Sequence, residues 1–143
     1  MRRHALMVAA LLSTSALAPA HAADPLGTWS TQGAKAQVRI VNCSGGLCGA
    51  IVALSEPNDA AGKPKTDINN EDKGKRSRAI IGVQILLGMK PGGANRWDGQ
   101  VYNAEDGKTY SGNITLQNAN TLQLQGCALG GMICRSQTWT RVN

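Results

Sequence analysis

Between Arg96 and Leu116, polar and apolar side chains alternate on both sides of a turn at Ala104-Glu105-Asp106-Gly107. With Asn103 set opposite Lys108, the residues Trp97, Val101, Tyr110, Ile114 and Leu116 share one face, and Gly99 meets Gly112 there. Arg96, Asp98, Gln100, Ser111, Asn113 and Thr115 share the other face. A side-chain period of two marks antiparallel strands with one buried and one wet side. Facing glycines on the inner side predict a bend or a close backbone approach, as at a barrel corner.

The remaining chain reads as more of the same. Strands are expected near 27–31, 36–43, 48–54, 121–127 and 134–142, with turns at Gly33, Ser44–Leu47, Asn118–Asn120 and 128–133. Setting Cys43 opposite Cys48 places Ile40 across from Ile51 and Val38 across from Ala53. The apolar run 79–89 fits a buried strand or a short helix by period alone, and its Gly82, Gly88 and β-branched residues favour a strand. Eight strands joined in sequence then lie between Gly27-Thr28-Trp29 and Trp139-Thr140-Arg141. An all-β, antiparallel, up-and-down barrel whose last strand returns to its first removes exposed edges. An open β-sandwich is the alternative.

Residues 1–22 have the pattern of a cleaved signal peptide: Arg2 and Arg3, an apolar run from Ala5 to Leu17, then Ala20-His21-Ala22. The run is shorter than the roughly 20 residues that cross a bilayer. Cleavage near Ala22 leaves residues 23–143 as a single domain, 121 residues long, in the periplasm or secreted. Four cysteines in such a chain read as two disulfides. Of three pairings, local spacing favours Cys43 with Cys48 and Cys127 with Cys134. Neither spacing suits a four-thiolate zinc site.

Both histidines, His4 and His21, fall in the leader. The mature chain therefore lacks the imidazole that Ser-His-Asp and Cys-His catalysis, or His-ligated zinc and haem, require. No cofactor and no metal site are expected. Asp67-Ile68-Asn69-Asn70-Glu71-Asp72 lacks the sixth-place Gly and closing Glu of a calcium loop. Without Arg2 and Arg3 there are 13 basic residues against 9 acidic, a spread-out net charge of +4. Three Trp, two Tyr and no Phe give no stacking surface, which argues against nucleic acid as a partner.

Alternating strand directions gather 32–35, the long segment 55–78, 104–107 and 128–133 at one rim. Trp29, Trp139 and Arg141 belong to the other, as structural closure with Arg141 stacked on Trp29. If Cys127 and Cys134 face outward, then Arg135, Gln137, Trp139 and Arg141 face inward. An inward Arg and Gln need partners, either a loop carboxylate such as Glu56, Asp59 or Asp67, or a polar ligand.

Several stretches together resemble one bacterial family. They are Leu47-Cys48-Gly49, Pro57-Asn58-Asp59, Asp67-x-Asn69-Asn70, Arg76-Ser77-Arg78, Tyr102-Asn103-x-Glu105-Asp106-Gly107-Lys108-x-Tyr110, and Ser136-Gln137-Thr138-Trp139-Thr140-Arg141. The family is that of the domain of unknown function 2147. The resemblance implies a small exported protein with a lipocalin-like barrel, and carries over no catalytic residue or ligand.

The functional expectation is a small amphipathic or anionic molecule, lipid included, bound inside the barrel. Candidate contacts are Arg135, Gln137, Tyr110 and Trp97, with Asp67, Asn69, Asn70, Arg76 and Arg78 as loop candidates. The alternative is an envelope interaction scaffold whose charged segment 55–78 meets an unknown protein partner. A histidine-free enzyme using Asp67 and Asp72 as acid and base ranks last, because carboxylates on loops are mostly solvated.

Overall fold

The alternating hairpin forms as its pattern requires, and the last strand does return to the first. In a computed structural model of the protein, residues 15–16 and 24–143 are described. The strands are β1 (Gly27–Ser30), β2 (Ala36–Cys43), β3 (Gly46–Leu54), β4 (Gln84–Gly93), β5 (Arg96–Asn103), β6 (Lys108–Asn118), β7 (Thr121–Ala128) and β8 (Ile133–Arg141). Each pairs antiparallel with its sequence neighbours, and β1 pairs with β8 to close the barrel. The expected leader and its two histidines lie outside the described residues.

In β5–β6, Asn103 stands opposite Lys108 and Gly99 opposite Gly112. A Cβ on Gly99 would come within 2.7 Å of the Leu87 carbonyl oxygen and 2.9 Å of that of Gly88. The small residue thus lets β4 press against β5 from within, the close approach expected of that position.

Two expectations are corrected. The β2–β3 turn is tighter than its cysteines implied: Cys43 pairs with Gly46, and Cys48 with Val41. A two-residue Ser44–Gly45 turn, with Gly45 at φ +74°, makes this register available. The shift is two residues, so no side chain changes face. Ile40 now meets Gly49, and Val38 meets Ile51. The second correction concerns 79–89, where only the latter half is strand. Ile80 and Val83 turn into the core while Ile81 stays outside, and the Ile51 amide and carbonyl bond Val83 and Gly82 at the bend. The strand instead continues through Pro91 to Gly93, with register shifts that accommodate a residue lacking N–H.

Both disulfides form, Cys43–Cys48 and Cys127–Cys134. They close short loops, separated by 5 and 7 residues. On the chain-entropy account each stabilises by only about 2 kcal/mol. Most of the fold's stability therefore comes from the interior. There Trp29, Val38, Ile40, Leu86, Met89, Ile114, Leu122 and Trp139 are fully buried. A barrel of eight strands is just wide enough for side chains to fill.

Closure itself is thin. β1 and β8 share only the pairs Trp29–Arg141 and Ser30–Thr140. Arg141 compensates. Its guanidinium lies 4.3 Å from the centroid of the Trp29 ring. It donates to Ala119 O at 2.6 Å, Leu26 O at 2.7 Å and Asp24 O at 2.6 Å. The Trp29 indole N–H is itself satisfied by Pro25 O at 2.8 Å. Stacking at a half-exposed site contributes about 1 kcal/mol, and the hydrogen bonds from a charged donor contribute more. Replacing Arg141→Met should therefore lower the unfolding free energy by about 2 kcal/mol. Arg39→Met, on the exposed outer face of β2, should change it by less than about 0.5 kcal/mol. Urea denaturation of the two variants checks the difference, and equal responses would remove Arg141 from the closure.

Candidate functional site

The long segment after β3 is ordered by one buried carboxylate. Asp67 is 1% exposed, and three hydrogen bonds and an ion-pair contact converge on it. Tyr102 OH donates to Oδ1 at 2.5 Å. Asn70 Nδ2 reaches Oδ2 at 2.8 Å, and Arg78 shares that oxygen through Nε and Nη2, each at 2.9 Å. Asn70 extends the network: its carbonyl accepts from Arg76 Nε at 2.7 Å, and its side-chain oxygen from Asp72 N–H at 2.8 Å. Asn69 Nδ2 donates to Glu105 O at 3.1 Å. The Asn69 carbonyl also lies against Gly107, where a Cβ would collide with it. Five loop candidates named from the sequence, Asp67, Asn69, Asn70, Arg76 and Arg78, thus belong to one network pinning the segment to the β5–β6 turn.

Burial pushes the Asp67 carboxyl up, but bonds from Tyr102, Asn70 and Arg78, with the charge of Arg78, outweigh it. Its pKa falls below the ordinary carboxylate value. Burial, then the bond to Asp67 and its charge, push Tyr102 up to about 12. Tyr102 is absent from the candidates that the sequence suggests. It sits on the outward side of β5, beside inward Val101, and an aromatic at a wet position among Asp98 and Gln100 is the signal that could have found it.

At the open rim the strand register sets Arg135 opposite Gly126, which faces Gly112, which faces Gly99. Trp139, on the same face of β8, is buried against Leu122. Arg135 and Gln137 therefore point inward by parity, yet both are exposed. Exposure resolves the cost expected of an inward charge, because water reaches it at the mouth. None of the loop carboxylates expected as its partner satisfies Arg135: Asp67 pairs with Arg78 and Glu56 with Lys65. Among the described residues Arg135 has no carboxylate within ion-pair distance. Gln137 accepts from Trp139 Nε1 at 3.1 Å.

Tyr110 flanks this place. Its Cβ is the nearest neighbour that a side chain on Gly126 would meet. Its hydroxyl donates a short hydrogen bond to Asp106. That bond, burial and the charges of Asp106 and Glu71 raise its pKa, while the Arg135 charge opposes the rise. Trp97 is less closely involved. It stands in the inner row Trp97–Ile114–Leu124–Gln137, at the opposite end from Gln137.

A separate groove of about 720 Å³ runs between the segment and the outer wall of the barrel. Lys75, Arg78, Glu71, Leu87, Tyr102 and Thr109 line it. The mouth and this groove lie on opposite faces of the same sheet.

A closed eight-stranded antiparallel barrel is lipocalin-like in architecture. The chain matches the family described as uncharacterized protein conserved in bacteria, DUF2147, over residues 27–141. It belongs to that family. Among solved structures it is similar to protein HP1028 from the human pathogen Helicobacter pylori, described as belonging to the lipocalin family. The two are 25% identical over 84% of each chain, with a TM-score of 0.71. No curated protein matches.

The Asp67 network predicts a two-sided pH dependence. Asp67 has a depressed pKa in the fold, so its contribution is present above the unfolded value, about 3.9, and is lost as pH falls through the lower folded one. Tyr102 has a raised pKa, so its contribution is lost as pH rises from about 10 toward 12. Tyr102→Phe should cost about 1 kcal/mol at neutral pH and reduce the alkaline loss. Asp67→Asn should flatten the acid loss. Urea midpoints across pH test both.

Proposed function

We propose that the protein is an exported binding barrel that holds one small amphipathic anion at its open rim, with Arg135 as the head-group contact. Arg135 itself carries this reading: an arginine directed to the barrel interior, open to water and unpaired by any described carboxylate. Next to it, Gly126 leaves room for a ligand atom. Tyr110 and the apolar Ile133 flank that room, and a ligand with an apolar part can lie against them. Buried side chains occupy the centre of the barrel, so the ligand sits in the mouth, not in a deep calyx. The similarity to a protein of the lipocalin family and the two disulfides of an oxidising compartment support binding and export respectively.

The groove favours a second reading, in which the charged segment receives a partner or ligand on the outside through Lys75 and the exposed side of Arg78. Catalysis by Asp67 is disfavoured on physical grounds, since three hydrogen bonds and the Arg78 ion pair already hold it as a buried anion.

Titration calorimetry of residues 23–143 with lysophosphatidylglycerol below its micelle concentration tests the first reading. Wild type should bind, and Arg135→Gln should bind at least about tenfold more weakly, as loss of one charge-assisted hydrogen bond implies. Lys75→Gln should have no effect. Absence of binding by wild type, or equal binding by Arg135→Gln, would overturn the assignment.

A further inference from the structure

The turn between β7 and β8 presents an apolar tip that no described residue covers. Leu129, Met132 and Ile133 are 70%, 85% and 54% exposed. Scattered surface hydrophobics are ordinary, but two large ones on one turn followed by a third at the start of β8 are not. The tip is also rigid in construction. Cys127–Cys134 joins the strands at its base, and Met132 N–H returns to Leu129 O at 3.3 Å. Leu129 is held at φ +53°, in the left-handed region that residues other than glycine seldom occupy. Strain maintained at an exposed apolar residue is a reason to look for a partner.

Charge points to the kind of partner. From Gly107 to the C-terminus the chain has no acidic residue, and its charges are Lys108, Arg135 and Arg141. Arg135 stands two residues from the tip. Across the rim, Glu105 lies 3.9 Å from Lys35, while Asp106 and Glu71 lie near Tyr110. The tip's own strands have Arg135 as their one charge between Thr121 and Thr140, and this cation favours an anionic surface. Size distinguishes further. A stable protein interface buries roughly 800 Å² on each side, far more than three side chains at a projecting turn provide. Insertion into a bilayer interface needs no complementary pocket, only exposed apolar groups beside a cation.

We propose that residues 129–133 insert into the interfacial layer of a bilayer containing anionic phospholipid, with Arg135 against the phosphates. The open rim then faces the membrane. This extends the ligand reading, because a rim so placed can take an amphipathic anion directly from the lipid surface.

Co-sedimentation with phosphatidylethanolamine vesicles, with and without phosphatidylglycerol, provides the test. Wild type should pellet with the phosphatidylglycerol vesicles. The double variant Leu129→Ser, Met132→Ser should lose at least about tenfold in bound fraction while still binding soluble lysophosphatidylglycerol. Arg135→Gln should lose binding only where phosphatidylglycerol is present, and added salt should mimic it. Near-ultraviolet circular dichroism confirms that both variants stay folded. Wild type remaining in the supernatant, or the double variant pelleting normally, would overturn the proposal. So would a double variant that changes only self-association in sedimentation velocity, which would assign the tip to a second copy of the chain. If the tip variants fail on vesicles but wild type does not bind the soluble lipid, membrane docking stands and the ligand reading falls.

Discussion

Everything in this barrel depends on how a four-residue first strand holds a nine-residue last one. Two residue pairs cannot do this alone, and the deficit is made up by Arg141. It covers the Trp29 ring and bonds backbone carbonyls at Asp24 and Leu26, ahead of β1, and at Ala119 in the β6–β7 turn. Truncating a buried tryptophan typically costs about 3–5 kcal/mol, against about 1 kcal/mol for the stacking itself. Burial of Trp29 thus contributes more than the stacking does. Arg141 adds to that burial by covering the indole and by its three hydrogen bonds to backbone carbonyls.

This closure makes the two rims unequal. At the Trp29 end the C-terminal residues, the indoles and Arg141 seal the barrel. At the other end, β8 runs on from Thr138 back to Ile133 without β1 beside it, and Gln32 Oε1 takes the Thr138 N–H at 3.1 Å. Inner-face residues here, Arg135 above all, reach water. The same short strand that demands a clamp at one rim opens the other. Asp67 has the matching role for the long segment. It binds that segment to the outer wall through Tyr102, and so keeps its own charge away from Arg135 at the barrel mouth.

Legibility in the sequence follows the strength of local patterning. β5 and β6 alternate cleanly, and their register, including the glycine pair, can be read directly. The inward parity of Arg135 and Gln137 follows from placing Cys127 and Cys134 outside, and the disulfide pairs follow from spacing. The β2–β3 register differs from expectation because disulfide-bonded cysteines need not be directly opposed; here the turn, not the bridge, sets the pairing. Ile80 and Val83 are indistinguishable from strand residues in sequence because a buried turn and a buried strand carry the same apolar residues. Tyr102 is hidden because its partner lies 35 residues away along the chain, and no local period records such a contact. Where Arg135 stands relative to solvent depends on the length of β1, which a Gly-x-Trp motif does not reveal.

A structural role for the plugged rim and ligand binding at the open one make opposite demands on the two ends of the barrel. Amide chemical-shift mapping of residues 23–143 during titration with soluble lysophosphatidylglycerol tests this division most directly. Binding at the open rim predicts shifts concentrated at Tyr110, Gly126 and the stretch 133–137, with Trp29 and Arg141 unmoved. Shifts centred on Lys75 and Thr109 in the outer groove, or at the Trp29 rim, would contradict it.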